Sequence, residues 1–329
     1  MWRFIAGRAF QLFFTFIVAL TVIFVIPRLL PGDPARFFIG EYVEMGGMTE
    51  ELVNELRERF GLNKSYLEQF VLFVTNTFQG YFGVSWSFFP REVLPIILER
   101  LPWTLALMVP ARILSFLLAY FMGTMAAWKR EGKLDVMLQF AGLISVAFPI
   151  FWAGAMMLVI FSYYIPIFPR GGSLTPGVVH QDPWSFLTDA MYHAALPIIT
   201  LTIFSFFIDA LVMRNTMVTV LHEDYILTAY AKGLPERTVI FKHAARNAML
   251  PLITRVFAGI GFLITGSIFI ENVFSYAGTG SLMVRSIFYR DFPLLQGLFV
   301  LITAVTLFSN FIADILYMFL DPRVRYLRG

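Results

Sequence analysis

The residue types that perform covalent or metal chemistry occur in this sequence without the spacing that such chemistry requires. Cysteine is absent, which excludes a disulfide framework and a cysteine-based metal site. The Gly-x-Ser-x-Gly turn of serine hydrolases and the GxxxxGK(S/T) loop that cradles nucleotide phosphates are absent too. The four histidines are scattered, at His180, His193, His222 and His243, without metal-ligand spacing. We therefore expect no catalytic, cofactor or metal site in this chain.

Four ionisable residues lie inside or at the edge of strongly apolar segments: Arg112, Asp209, Glu271 and Asp314. A charge at the centre of a membrane helix costs about 2.5–3.5 kcal/mol on insertion scales, so each side chain should face the protein interior or a wet cavity. Three roles stay open for them. They contact a substrate, they pair across a subunit interface, or they form structural ion pairs and reach the membrane surface.

Those apolar segments predict an all-α membrane protein. Hydrophobic residues make up 58% of the chain and charged residues only 14%, whereas about a quarter of the residues of a soluble domain are charged. A membrane span needs about 20 mostly apolar residues, and six segments qualify, the fifth once Leu250–Thr254 is added. The first is longer than the apolar part of a secretory signal and lacks a cleavage site, so we expect it to be retained. The predicted spans are Ala9–Ile26, Leu101–Trp128, Val136–Phe168, Ala190–Ile208, Val256–Ile270 and Phe292–Ala313.

Lysine and arginine in the short connections predict the orientation. They concentrate before the first span, after the second and fourth spans, and at the end of the chain, so all of these segments can share one side. That side should be the cytoplasm, which places both termini inside the cell. Residues 31–100, 169–189 and 276–291 then lie outside. The basic residues concerned are Arg3, Arg8, Lys129, Arg130, Lys133, Arg214, Lys232, Arg237, Lys242, Arg246, Arg323, Arg325 and Arg328.

Residues 31–100 are too long for a simple connection and predict an external insertion. The stretch "TEELVNELRERFGL" begins at Thr49, a good helix N-cap, and places Leu52, Leu56 and Phe60 on one apolar face. We interpret it as a short external helix. It either covers the spans or contacts an external partner.

The polar stretch "DYILTAYAKGLPERTVIFKHAARNAMLP", residues 224–251, interrupts the apolar pattern. Asp224–Lys232 predicts a short helix, and Gly233 follows where helices commonly end in a left-handed residue. Pro235 favours the start of a second helix. Small residues at Thr228, Ala229 and Ala231 would let the first helix fit a groove on a partner. The alternative is an amphipathic helix that lies at the membrane surface without a partner.

The second helix of this stretch has two faces. Ile240, Ala244 and Ala248 share one of them, and Lys242 and Arg246 lie on another. This basic patch indicates contact with lipid headgroups rather than with nucleic acid. Pro110, Pro149, Pro197 and Pro251 lie in or beside spans and are candidate kink sites.

Six motifs in order along the chain resemble one family. They are "LLPGDPA", "GYFGVSW", "LPWTLAL", "GLISVAFPIFWAG", "HAALPIITL" and "DYILTAYAKGL…KHAARNAMLP". Together they resemble the permease subunits of ATP-binding-cassette (ABC) importers for dipeptides, oligopeptides and nickel, in the N-terminal type of the two permeases. In other importer families the last motif begins Glu-Ala-Ala, whereas here those positions are Leu227, Thr228 and Ala229. Only Ala229 and Gly233 match, a departure that is usual in the peptide-type branch.

The resemblance implies a fold and a set of partners. The fold is the type I ABC importer transmembrane domain over residues 101–320, preceded by a first helix in residues 1–30 and the insertion 31–100. The coupling loop is 216–250, and residues 321–329 form a basic tail. The partners implied are a second permease, two ATPases that bind ATP and magnesium, an external binding protein and the bilayer of the inner membrane. The coupling residues implied are Asp224, Tyr225, Thr228, Ala229, Ala231, Lys232, Gly233 and Leu234.

The resemblance also implies the substrate class, with peptides first and oligosaccharides or nickel complexes as alternatives. Two other classes of protein remain for comparison. A solitary secondary transporter would show an inverted repeat with broken helices, and no such repeat is evident. A membrane subunit of an energy-converting enzyme would show chains of histidines or carboxylates in its spans. Neither class explains the helix–glycine–helix stretch.

Overall fold

A computed structural model describes residues 2–29, 58, 63–258 and 260–320. Regular structure in these residues is helical, apart from one isolated antiparallel bridge between Val84 and Glu92. The "LLPGDPA" motif, except for Leu29, and the basic tail 321–329 lie outside the described residues. So does the helix predicted to begin at Thr49, except for Glu58.

The helices follow one another through short connections. The fifth is extended by a π-helical turn over Val159–Tyr164, and another π-helical turn over Val239–Ala244 joins the eighth to the ninth. In chain order they are α1 Trp2–Leu29, α2 Tyr66–Phe78, α3 Val93–Trp128, α4 Lys133–Ala147, α5 Ile150–Leu158, α6 Pro183–Val220, α7 Asp224–Ala231, α8 Glu236–Thr238, α9 Ala245–Ala258, α10 Ile260–Val273, α11 Thr279–Phe288 and α12 Phe292–Leu320.

Four helices in the described part of the chain are long and apolar enough to cross a membrane. They contain the predicted first, second, fourth and sixth spans, and their apolar stretches are Ile5–Leu29, Val93–Trp128, Pro183–Val220 and Phe292–Ile315. Helix α3 begins eight residues before the predicted start of its span, at Val93 rather than Leu101. The last residues assigned from sequence to the insertion 31–100 are therefore helical.

The predicted third span is a broken helix. Helices α4 and α5 meet at an angle of 101°, and the pair counts as a fifth span only if it is taken as one. The break has a local cause. Pro149 lacks an amide hydrogen, and its ring pushes the preceding residue out of helical geometry. Phe148 accordingly has extended backbone angles, with φ −98° and ψ 133°.

The predicted fifth span coincides with the end of α9 and with α10. Each of these helices has 14 residues, and they lie on either side of residue 259. Residue 259 lies outside the described residues, so the predicted fifth span is described only in these two helical parts.

The described helices group into two compact units. The first contains residues 1–102 and 278–308, and the second contains residues 103–277 and 309–329. In the first unit, Leu20, Ile23 and Val300 form a buried cluster with Phe73 and Phe82 packed against it.

The main core of the second unit is built from short side chains and methionines. Its fully buried members Met213 and Met217 come from α6, Ala244 ends the π-helical turn before α9, and Ala245 and Ala248 lie in α9. Small residues let helix backbones approach closely, which is how membrane helices associate when lipid is as apolar as they are.

Gly123 marks the closest approach of α3 to α6. A Cβ atom built on Gly123 would lie 2.7 Å from the carbonyl oxygen of Ala210 and 2.7 Å from the Cβ of Met213. Backbone atoms cannot rotate away as a flexible side chain can. Any larger residue at this position therefore forces the two helices apart.

Replacing Gly123 with alanine should lower the thermal unfolding midpoint in detergent, because overpacking a filled core costs about 1–3 kcal/mol. Gly7→Ala is the matched control, since it also lies in a helix but a Cβ there meets nothing within 4 Å. Both glycine-to-alanine changes gain about 1 kcal/mol of helix propensity. The difference between their unfolding midpoints therefore reports the steric clash at position 123 alone. Equal midpoints for the two variants would contradict the close contact.

Candidate coupling segment and buried charge networks

The predicted helix–glycine–helix break is present and has a defined hydrogen-bond pattern. Helix α7 ends at Ala231, and Gly233 follows with φ +72°. The amide of Gly233 donates to the carbonyl of Tyr230 at 2.9 Å, and that of Leu234 donates to Ala229 at 3.4 Å. These two bonds form a Schellman motif, which satisfies carbonyls that the helix end would otherwise leave unpaired. The chain therefore changes direction sharply after α7.

Helix α7 has one anchored face and one free face. Ile226 and Ala229 are buried in the core of the second unit, together with Met217, Val239 and Ile240. Sequence reasoning placed Ala229 among the small residues that fit a partner, but the structure turns it inward. The exposed face is formed by Asp224, Tyr225, Leu227, Thr228, Tyr230, Ala231 and Lys232.

Ile226 is the anchor that sequence reasoning missed. It is fully buried, and it lies three residues before Ala229, the spacing that places two side chains on the same helix face. A second tie holds the start of the helix, where the Asn247 amide donates to the Tyr225 hydroxyl at 2.8 Å. The helix is therefore fixed to α9 by both apolar packing and a hydrogen bond.

The second half of the segment matches the predicted faces. Pro235 is the cap residue that precedes α8, as expected from its position after Gly233. Ile240, Ala244 and Ala248 are buried, and Lys242 and Arg246 are exposed. The end of α3 is tied in as well, because the Trp128 indole donates to the Glu236 carboxylate at 2.6 Å.

Two of the four predicted intramembrane charges meet each other. Arg112 of α3 and Asp209 of α6 form an ion pair at 2.6 Å, and both side chains are nearly buried. The same carboxylate accepts from Arg255 at 3.0 Å and from the Ser115 hydroxyl at 3.1 Å. Three helices, α3, α6 and α9, are thus joined at one carboxylate. Sequence reasoning missed Arg255, although it lies between Leu250–Thr254 and Val256–Ile270, the two stretches that make up the predicted fifth span.

A second buried ion pair joins α4 to α6. Arg214 donates twice to Asp135, with Nε and Nη2 each 2.8 Å from a carboxylate oxygen. Gln139 and the backbone amide of Glu131 donate to the same carboxylate at 3.0 Å. Asp135 is fully buried. In the sequence Arg214 was only one of the charges that set the orientation, and nothing there indicated its partner 79 residues earlier.

Glu271 and Asp314 lie apart in the sequence and have different surroundings. Glu271 is fully buried and accepts a hydrogen bond from Thr104 at 2.8 Å. Burial, and the carboxylate of Glu271 nearby, raise the pKa of Tyr276 to about 12. Asp314 is partly buried in α12.

Two histidines that look scattered in the sequence share one carboxylate. His180 Nε2 lies 3.0 Å from Asp189, and His193 Nε2 lies 3.6 Å from it. The amide and hydroxyl of Thr175 donate to this carboxylate at 2.8 and 2.7 Å. The cluster ties the connection before α6 to the first turns of that helix.

Two protein-family models match this chain. The family model described as "Binding-protein-dependent transport system inner membrane component" matches residues 115–326, and a model for the N-terminal part of such membrane components matches residues 1–108. The chain belongs to this family. The match covers both units and includes the segment that contains α7 and Gly233.

Curated relatives align over nearly the whole chain. The oligopeptide transport system permease protein AppB of Bacillus subtilis is 34% identical over 92% of this chain and 93% of its own length. The di/tripeptide transport system permease protein DppB of Pseudomonas aeruginosa is 32% identical over 100% of both chains. The oligopeptide transport system permease protein OppB of Haemophilus influenzae is 32% identical over 99% of this chain and 100% of its own length.

Replacing Gly233 with valine should uncouple ATP hydrolysis from uptake while leaving membrane insertion intact. A Cβ at this position meets nothing within 4 Å, so the cost arises from the positive φ, about 1–2 kcal/mol for most residues. β-Branched residues tolerate this region worst and asparagine tolerates it well. Uptake by cells should therefore be highest with the natural Gly233, lower with Gly233→Asn and lowest with Gly233→Val. Normal uptake by Gly233→Val would show that the turn is not needed.

Double-mutant cycles should show that the buried ion pair Asp135–Arg214 contributes more to stability than an exposed pair does. Breaking a buried pair by removing one partner costs about 3–5 kcal/mol, whereas exposed pairs are worth about 0–1 kcal/mol. Asp135→Asn and Arg214→Gln should each lower the unfolding midpoint, and the double variant should lose much less than their sum. The pair Arg91–Glu99, about half exposed on each side, is the control. Additive losses in the first cycle would mean that the two groups are not coupled.

Proposed function

We propose that this chain is a transmembrane permease subunit of an ATP-driven ABC importer. The proposal is supported by the family match over both units and, above all, by the two faces of α7. Its inner face is fixed to the core by Ile226 and Ala229, and its outer face is exposed. A short helix held in this way can receive a push from another protein and pass it on. The sequence lacks the GxxxxGK(S/T) phosphate loop, so ATP and magnesium would be bound by two separate ATPase subunits.

We infer a topology of six spans with both termini in the cytoplasm, in an inner membrane. The four long helices account for four of these spans. The bent pair α4–α5 would be the third, and α9 with α10 would be the fifth. In this arrangement α7 lies on the cytoplasmic side, where the ATPases act, and the connection before α6 lies outside.

The mechanism follows from how α7 is attached. ATP binding closes the two ATPases, and the exposed residues of α7, including Tyr225, Thr228 and Ala231, move with the surface on which they dock. Ile226 shares a buried core cluster with Met217, and this core transmits the displacement to α6. The spans then alternate between two packings, one open to each side, and nucleotide shifts the population between them. A second homologous permease would complete the pathway.

Peptides are the substrate class that the relatives favour, since all three compared above are named for oligopeptide or di/tripeptide transport. An external binding protein would deliver the peptide, and that separate protein would carry much of the selectivity. Oligosaccharides and nickel complexes use similar machinery and are the alternatives. A solitary secondary transporter would leave the exposed face of α7 without a role.

Thr228→Arg should abolish co-purification of the ATPases and peptide uptake, because it places a long charged side chain on the docking face of α7. Thr188→Arg is a matched control. Both threonines are exposed in helices, and each donates to the carbonyl four residues earlier, at 3.0 Å. Thr188 lies near the start of α6, far from its end next to α7. Loss of the ATPases from both variants, or from neither, would count against docking at α7.

Purification of the tagged chain in mild detergent, followed by mass spectrometry, tests the assembly and the substrate together. We expect a second permease, P-loop ATPases and a binding protein whose bound ligand is a peptide. A bound oligosaccharide or nickel complex would change the substrate and keep the importer. A stable chain that purifies alone would refute the importer.

A further inference from the structure

Helix α2 lies alongside α1 over much of its length. At its beginning, the Arg28 guanidinium donates to Gln69 at 2.9 Å. At its end, the ring of Phe78 contacts Phe16 and Phe13, with ring centroids 6.0 and 6.5 Å apart. The contacts move down α1 as α2 proceeds, so the two helices run antiparallel.

These contacts define how deep α2 reaches. A span needs about 20 residues, and the apolar stretch of α1 is Ile5–Leu29. Whichever 20 of these residues cross the hydrocarbon, Phe16 lies about 8 to 13 residues inside the end nearer Arg28. At 1.5 Å per residue this is roughly 12–20 Å, in a hydrocarbon layer about 30 Å thick. The end of α2 is therefore near the middle of the membrane.

The surface chemistry of α2 agrees with this depth. Its outward side chains are apolar and exposed: Leu67 by 73%, Val71 by 52% and Phe78 by 58%. Its one charged residue, Glu68, lies in the first turn, where it accepts from the amide and hydroxyl of Ser65 in a capping box. The polar end of α2 thus lies level with Arg28, and the apolar part extends away from it.

Two hydroxyl groups farther along α2 are satisfied within the protein. The hydroxyls of Thr75 and Thr77 donate to carbonyls of their own helix, at 2.9 and 2.7 Å. Such bonds allow threonine to lie in hydrocarbon without an unpaired donor.

The chain that returns from α2 also keeps its backbone paired. The amide of Tyr81 donates to the carbonyl of Asn76 at 2.9 Å, and the amide of Val93 donates to Gly83 at 3.0 Å. Asp291 then accepts from the Ser87 amide at 2.9 Å. Irregular backbone is tolerated at membrane depth only where it is paired or buried in protein. Residues 79–92 meet that condition at these positions.

We propose that α2 is a re-entrant helix, embedded in the bilayer from the face at which α1 ends, with acyl chains against its outer side. Phe78 stacks on Phe13, and both side chains are more than half exposed. Phe13 belongs to the apolar stretch of α1, and Val18 and Val22 of the same stretch are also exposed, by 47% and 50%. An exposed apolar ring that stacks on a membrane span is covered by the same lipid as that span. This assignment departs from the expectation that residues 31–100 lie wholly outside the membrane, and it does not rest on the transport function.

The test uses single cysteines, which the natural sequence permits because it contains none. Leu67→Cys, Val71→Cys and Phe78→Cys are each labelled with a nitroxide in the intact complex, reconstituted in phosphatidylcholine vesicles. Collision rates with oxygen, which concentrates in hydrocarbon, and with a water-soluble nickel chelate report depth. Lys64→Cys is the water-exposed control, and Val18→Cys is the membrane control.

We expect the ratio of oxygen to nickel collisions to rise from Leu67 to Phe78 and to reach the value at Val18. Nickel accessibility at Val71 and Phe78 equal to that at Lys64 would place α2 outside the membrane and overturn the proposal. Low accessibility to both reagents would show that another subunit covers the helix, which would also overturn it. Agreement between two positions on α2 guards against a label that distorts one of them.

Discussion

Hydrocarbon offers no hydrogen-bond partners, and most features of this chain follow from that constraint. A segment that crosses a bilayer must pair its backbone groups internally, which only helices and closed barrels achieve. The described residues accordingly form helices almost throughout. Where the helical ladder breaks, as at Pro149, the helix axis turns by 101°. The returning chain after α2 meets the same constraint through bonds to Asn76, Gly83 and Asp291.

The same constraint governs the buried charges. An isolated ion in a low-dielectric core is strongly unfavourable, and pairing with hydrogen bonds makes it tolerable. Asp209 accepts from Arg112, Arg255 and Ser115, and Asp135 accepts twice from Arg214. These two carboxylates join α3, α4, α6 and α9. A motion that repacks those helices must move the ion pairs as units, because separating either pair would leave an uncompensated charge.

A buried face and an exposed face are combined in α7. Eight residues are too few for a helix to be stable alone, so α7 depends on the burial of Ile226 and Ala229 for its existence. Because one side of α7 is buried, the opposite side stays exposed and can contact another protein. The Schellman turn at Gly233 then separates α7 from the following helix without a flexible linker, which keeps the attachment stiff.

The sequence alone determined the membrane class, four of the spans, the family, and the helix–glycine–helix break, because these depend on local composition and on backbone conformation at single residues such as Gly233. It also predicted that Arg112 and Asp209 would face the interior. Only the tertiary structure decided that these two residues meet and that Arg255 and Arg214 take part in buried pairs. It also decided that Ala229 faces inward and that α2 lies against α1. Each of these depends on contacts between residues far apart in the chain, and no local pattern in one sequence records such distances.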